Sequence, residues 1–184
     1  KIDILSMDVE EEQSIESCFN SLLQKKIKLD LLYNNAGIID WDNLNEVSAS
    51  STEKIYKVNL IGALLVTRHA IPCLKNSADP VIVNLSSRLG SIEIRGETQL
   101  GGAIAYQCSK AALNMLTKQS AIDLHKHNIR VISQSPGWVK TDMGGKDAKY
   151  EIKDAVTKMI QSLLKMKSDQ TGIFIGEDGD LIPW

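Results

Sequence analysis

Pro80-Val81-Ile82-Val83-Asn84-Leu85-Ser86-Ser87 is the stretch from which the fold is read. A short apolar run rich in β-branched residues, opened by Pro and closed by hydroxyls, predicts a buried strand. The segments around it alternate. Upstream, Ser50-Ser51-Thr52-Glu53 forms a capping box that predicts a helix through about residue 74, with Pro72 disturbing its last turn. Before that, the apolar run 29–33 stops at Asn34-Asn35-Ala36-Gly37, which reads as a strand followed by a tight turn. Ile15, Phe19, Leu22 and Leu23 recur at helical spacing within 10–24, behind an acidic first turn. Residues 2–7 are expected to form a short strand ending at Asp8. Downstream, 91–104 is rich in Gly and Ile and reads as irregular. A helix is expected from about Ala105 to His125, then a strand at 129–133 running into Pro136-Gly137-Trp138-Val139-Lys140-Thr141. A helix at 151–167 and a strand at 172–176 follow. Strands alternating with helices predict a doubly wound α/β fold, a parallel sheet covered on both faces.

Bulk properties narrow the partners. The chain has 184 residues, enough for one domain with a real core. A net charge of -2 provides no electrostatic reason to bind nucleic acid or an anionic membrane. The apolar run 60–66 is too short to span a bilayer. Cys18, Cys73 and Cys108 are scattered, with neither a disulfide framework nor zinc spacing, which suits a reducing, cytoplasmic setting. His69, His125 and His127 are expected to lie on the surface or in packing, so no metal site is expected.

Two positions carry chemistry by their placement. Tyr106 and Lys110 are four apart on a predicted helix and share one face. An ammonium beside a phenol favours the phenolate, which makes the pair a tunable acid and base. Asn59 lies mid-helix between Val58 and Leu60, where an amide flanked by apolar residues is expected to face something polar inside. Ser86 and Ser87 follow a strand end, and in parallel sheets ligands gather outside the carboxyl ends of the strands.

The order of these motifs resembles the short-chain dehydrogenase/reductase family. The likeness rests on Asp8-Val9, Asn34-Asn35-Ala36-Gly37, Lys57-Val58-Asn59, Ser86-Ser87, Tyr106-x-x-Ser109-Lys110, and Pro136-Gly137 followed by Thr141. Arg88-Leu89-Gly90-Ser91 and the terminal Ile182-Pro183-Trp184 look most like the C-factor-like carbonyl reductase branch. The resemblance implies a Rossmann-like fold and an oxidoreductase that moves a hydride between a nicotinamide cofactor and a carbonyl or alcohol substrate. Tyr106 would donate or accept the proton, and Lys110 would lower the Tyr pKa and bind the nicotinamide ribose. Ser87 would orient the substrate oxygen. Ser86 is its rival, and Gly90 three residues on favours Ser87. Asn59 would hold a water that links Lys110 to solvent. Asp8, with Asp3 as rival, and Val9 would meet the adenine. Asn35, Ala36 and Gly37 would line the adenosine ribose. Val139 and Thr141 would bind the nicotinamide carboxamide, and Pro136 and Gly137 would also bind the cofactor. NADP(H) is the expected cofactor, with NAD as the alternative. A homo-oligomer formed through helices 50–74 and 106–125 is also implied. Substrate identity is expected to depend on 91–104 and the loop after Met143.

The family's opening glycine-rich turn, Thr-Gly-x-x-x-Gly-x-Gly, does not occur in the chain. The expectation is therefore a single domain over residues 1–184 that lacks the first two strand-helix units of the fold. Residues 2–7 would then have no neighbouring strand, and 29–33 would become an exposed apolar edge. Such a chain is either part of a longer one or a product that folds poorly and binds cofactor weakly. The alternative function is a truncated, inactive relative that acts by association with a full-length subunit.

Overall fold

The computed structural model describes residues 2–98 and 101–184. Four parallel strands lie in sequence order, β1 (Leu31–Asn34), β2 (Val81–Leu85), β3 (Arg130–Gln134) and β4 (Ile173–Ile175). Leu31 pairs with Val81, Val81 with Arg130, and Ile132 with Ile173. The expected strands at 29–33, 80–85, 129–133 and 172–176 are all present to within a residue or two at their ends.

Helices cover both faces, as expected for a doubly wound, Rossmann-like sheet. On one face α1 (Glu12–Gln24), α3 (Ala63–Leu74) and α5 (Ile104–Leu124) pack on the strands. Ile15, Phe19, Ala70, Leu74, Leu124 and the strand residues Ile82 and Val131 form that core. On the other face Leu163 of α6 (Ile152–Leu164) packs with Val83, Ile132 and Ile175. Consecutive strand residues thus go to opposite cores, the period-two alternation of a sheet buried on both sides.

Several boundaries differ from the sequence reading, each for a local reason. Residues 2–7 are not a strand. Among the described residues no strand lies beside them to accept a ladder, and Ile2 and Ile4 are 89% and 91% exposed. The helix expected from Ser50 starts at Ala49, because Ser48 is the extended residue whose Oγ accepts from Ser51 N at 3.1 Å. That helix is not uniform. α2 (Ala49–Tyr56) passes into a π-helical segment (Lys57–Gly62) and then α3, which carries Pro72 inside its last turn. Within the stretch read as irregular, α4 (Arg95–Thr98) forms a single turn, and residues 99 and 100 lie outside the described residues. Among the described residues β1 pairs only with β2, and Leu31 on it is exposed, the apolar edge that was expected.

Among the described residues no helix is long and apolar enough to cross a membrane. All three cysteines are free thiols.

Candidate active site

A row of buried polar side chains leads across the sheet towards its carboxyl edge. Asn34, Asn84 and Ser133 stand at one register on β1, β2 and β3. Asn34 Nδ2 donates to Asn84 Oδ1 at 2.8 Å. Asn84 Nδ2 and Ser133 Oγ both donate to Thr117 Oγ1 of α5 at 2.8 Å, and Thr117 Oγ1 donates to Leu113 O at 2.9 Å. Every donor in this row finds an acceptor, so the network locks α5 onto the strands in one position. One turn towards the start of α5, the Ser86 hydroxyl donates to Asn114 Oδ1 at 2.7 Å, and Asn114 Nδ2 donates to Gly90 O at 3.2 Å.

Ser86 is thereby committed to the interior. The side chain of the next residue, Ser87, stands beside the Tyr106 phenol and favours its ionised form. Of the two rival serines, Ser87 is the one beside the phenol, while Ser86 points to Asn114. Gly90 is required for the same geometry, since a Cβ there would stand 2.7 Å from the backbone carbon of Lys110. The glycine lets the serine loop lie flat against α5.

Lys110 lies on the same helical face as Tyr106, as the spacing predicted, with Nζ 5.6 Å from the ring centroid. Both side chains are buried, at 4% and 6% exposure. Lys110 Nζ donates to Leu85 O, the last residue of β2, at 2.7 Å. Burial disfavours the ammonium and brings the Lys110 pKa down to about 8. Burial also pushes the Tyr106 phenol above its ordinary value, and the Ser87 side chain beside it opposes this in part. The expectation that Lys110 sets a lowered phenol pKa is therefore corrected. In the protein alone desolvation outweighs the favourable neighbours, and the phenol is held as a neutral proton donor.

Asn59 faces inward as expected, at 1% exposure, in the middle of the π-helical segment. Its Oδ1 accepts from Ile38 N at 2.8 Å, and its Nδ2 donates to Ile38 O at 2.9 Å and to Ser109 Oγ at 3.0 Å. Both amide protons are spent, and Oδ1 keeps one lone pair. Ser109 in turn donates to Tyr106 O at 2.7 Å. Ser109 thus ties the turn that bears Tyr106 to the turn after β1. As a site residue of its own it was not anticipated. The one signal was a hydroxyl within the Tyr106-to-Lys110 turn.

Of the remaining expected residues, two groups follow the carboxyl ends of the same strands, while Asp8 and Val9 lie just before α1. Asn35, Ala36 and Gly37 follow β1. A Cβ at Gly37 would stand 3.5 Å from both Lys110 Nζ and Asn59 Oδ1, so the glycine keeps the space between amine and amide open. Pro136 and Gly137 follow β3, with Gly137 at a left-handed φ of 74°. Beyond them Val139 forms a bridge with Tyr150. Thr141 Oγ1 donates to Val139 O at 3.4 Å and accepts from Gly144 N at 3.1 Å. Asp8 is exposed at the start of α1, where its Oδ1 accepts from Glu10 N at 2.9 Å. Val9 packs beside Gly62, where a Cβ would meet Val9 O at 3.0 Å. Asp3 lies in the exposed, irregular 2–7 stretch.

These residues fit the nicotinamide-ribose half of a dinucleotide. The Lys110 ammonium has protons beyond the one given to Leu85, and the face left bare by Gly37 opens onto it. Among the described residues no group of His, Cys, Asp and Glu could hold a metal.

The chain is similar in sequence and fold to known proteins. The family model described as short chain dehydrogenase matches residues 1–151. The C-signal protein of Myxococcus xanthus is 34% identical over 157 residues, covering 85% of this chain and 93% of that protein. A cyclopentanol dehydrogenase of Comamonas sp. (strain NCIMB 9872) is 34% identical over 143 residues, or 78% of this chain, which spans 55% of that enzyme's length. The NADPH-bound carbonyl reductase from chicken fatty liver superposes with a TM-score of 0.94 at 32% identity, over 99% of this chain and 77% of that one. The carbonyl reductase Sniffer of D. melanogaster does so with a TM-score of 0.92 at 31% identity, over 100% of this chain and 78% of that one. With the serine, tyrosine and lysine at one strand edge and this match in sequence and fold, the chain belongs to the short chain dehydrogenase family, carbonyl-reductase-like, and is by family an NAD(P)-dependent oxidoreductase.

Proposed function

We propose that residues 1–184 act as one domain that reduces a carbonyl, or oxidises the matching alcohol, with NADP(H). The observation that carries this reading is the Lys110 ammonium over the ring of the buried Tyr106, 5.6 Å from its centroid, with the Ser87 side chain beside the same phenol. A bound nicotinamide supplies the hydride. Ser87 orients the carbonyl oxygen, and Tyr106, held neutral by burial, protonates that oxygen as charge develops on it. Lys110 stabilises the phenolate left behind and offers its free protons to the ribose hydroxyls. Asn59, through its remaining lone pair, holds a water beside Lys110 for proton resupply. Asp8 and Val9 are assigned to the adenine, and Asn35, Ala36 and Gly37 to the adenosine ribose. Val139 and Thr141 are assigned to the carboxamide, and Pro136 and Gly137 also to the cofactor. NADP(H) is preferred because the carbonyl reductase of chicken fatty liver is NADPH-bound, and a short-chain dehydrogenase/reductase from Burkholderia multivorans, 25% identical with a TM-score of 0.87, has NADP bound. Ile61, Leu64, Met115 and Ile122 are exposed apolar residues on the two helices assigned to a homo-oligomer contact, and they support that assignment.

A second reading is favoured by the extent of the match to C-signal, which covers 93% of that protein. On it the chain is inactive and acts by association with another subunit of the family. Titration with NADPH while the melting temperature is followed separates the two. A ligand that binds only the folded state at a hundred times its Kd stabilises by about 2.7 kcal/mol. For a chain of this size that is a rise of about 5–10 °C. No shift, together with co-purification of a longer relative, would replace the first reading by the second.

A further inference from the structure

Residues 177–184 turn back antiparallel on β4. Gly176 N donates to Asp180 O at 2.8 Å, Ile175 bridges Leu181, and Ile182 N donates to Phe174 O at 2.8 Å. The turn passes through Gly179 at a φ of 91°. The Trp184 ring stacks on Phe174, with centroids 5.9 Å apart. So anchored, the segment grips the loop that follows Ser87. Arg88 Nη2 lies 3.3 Å from Glu177 Oε2 and 3.3 Å from Asp180 Oδ2. Ser91 Oγ donates to Pro183 O at 2.7 Å. Ile92 N and Glu93 N both donate to Trp184 O, at 3.1 and 3.0 Å.

Glu177 is the hinge of this grip. It is 6% exposed, and a buried carboxylate is costly unless it is paired. One of its oxygens faces the Arg88 guanidinium. The other stands 2.9 Å from where a Cβ on Gly137 would be. A Cβ at Gly176 would collide with the Arg88 guanidinium. Two glycines thus make room for one ion pair between the serine loop and the Pro136-Gly137 turn.

We propose that residues 177–184 are a clamp that positions Ser87 against Tyr106, with Arg88 and Glu177 as its fixing pair. Arg88 and Glu177 are positioning residues and need not touch substrate. The proposal rests on the catalytic reading above. Loss of the clamp lets the serine loop drift and loosens the approach of Ser87 to the phenol, where its hydroxyl favours the phenolate.

The test compares Arg88→Met, Arg88→Lys and Trp184→Ala with the wild-type chain. The readouts are kcat and KM for an aromatic aldehyde with NADPH, the pH profile of oxidation of the corresponding alcohol, and amide hydrogen exchange at Ile92 and Glu93. Arg88→Met is expected to lower kcat about tenfold and leave the NADPH Kd within about twofold. It should also move the rising, low-pH limb of the oxidation profile, where Tyr106 must lose its proton, to higher pH, and Arg88→Lys should recover most of both effects. Trp184→Ala is expected to speed exchange at Ile92 and Glu93 about tenfold. Unchanged kcat and pH profile in Arg88→Met, or unchanged protection in Trp184→Ala, overturns the clamp. The exchange measurement needs no turnover. If no form, wild type included, reduces the aldehyde, the catalytic reading fails while the clamp is still judged by exchange.

Discussion

Lys110 Nζ donates to the carbonyl oxygen of Leu85 across 2.7 Å, so the amine next to the phenol is pinned to the end of the central strand. That bond holds the ammonium in a place that burial makes costly for it, and its pKa falls to about 8 from an ordinary 10.5. Between those two values the unfolded chain carries more protons than the folded one, so stability rises with pH through that window. The cost is on the order of 3 kcal/mol when fully present, below about pH 8. Melting temperatures between pH 7 and 9.5 should rise in the wild type. Lys110→Met should be flatter and more stable at pH 7, yet inactive. Above about pH 10 the buried phenols of Tyr106 and Tyr33, both raised by burial, reverse the slope.

The two glycines nearest Lys110 predict opposite phenotypes. Gly90→Ala drives a methyl to within 2.7 Å of the α5 backbone, so it should destabilise by about 1–3 kcal/mol or prevent folding. Gly37→Ala adds a methyl at ordinary contact distance, 3.5 Å from its neighbours, and should leave the denaturation midpoint nearly unchanged. It fills the space between Lys110 and Asn59, however, and NADPH affinity measured by fluorescence titration should fall about tenfold. A Gly37→Ala chain that binds NADPH as well as the wild type would remove that face from the cofactor site.

Thr117 tests whether the polar row supports structure alone. Thr117→Val keeps the volume but removes the acceptor shared by Asn84 and Ser133. Two buried donors lose their partner, at about 1–3 kcal/mol each. Urea denaturation should show a loss of about 2 kcal/mol or more, while kcat per folded molecule stays near the wild-type value.

Ser109→Ala separates positioning from chemistry. It deletes the bond from Asn59 Nδ2 and the one to Tyr106 O, and it touches no reacting atom. Stability should drop by about 1–2 kcal/mol. Turnover should fall less than in Tyr106→Phe, with the pH profile unmoved.

How much of this was readable from the residues alone follows from where each signal resides. The strands at 80–85 and 129–133 announce themselves because both their faces are apolar. The Tyr106–Lys110 face follows from helical spacing alone. Residues 2–7 alternate like a strand, but a strand needs a neighbour, and no local pattern shows whether one is there. The cap at Ser48 was hidden in a run of three serines and a threonine broken only by Ala49. The π-helical segment around Asn59 has no sequence signature. It exists because the Asn59 amide reaches Ile38 and Ser109, contacts 21 and 50 residues away. Leu85 O is a backbone atom, invisible to any reading of side chains. The raised Tyr106 pKa was missed for a related reason. Spacing names the neighbour that lowers a pKa, whereas burial, which raises it, is a property of the packed fold.

The most direct test of the account is Tyr106→Phe, assayed for NADPH-dependent reduction of an aromatic aldehyde beside the wild-type chain. The variant loses only a hydroxyl, so circular dichroism and the NADPH-induced rise in melting temperature should persist, while kcat drops about 100-fold or more. Turnover retained at the wild-type level in a folded, NADPH-binding Tyr106→Phe chain would contradict the account.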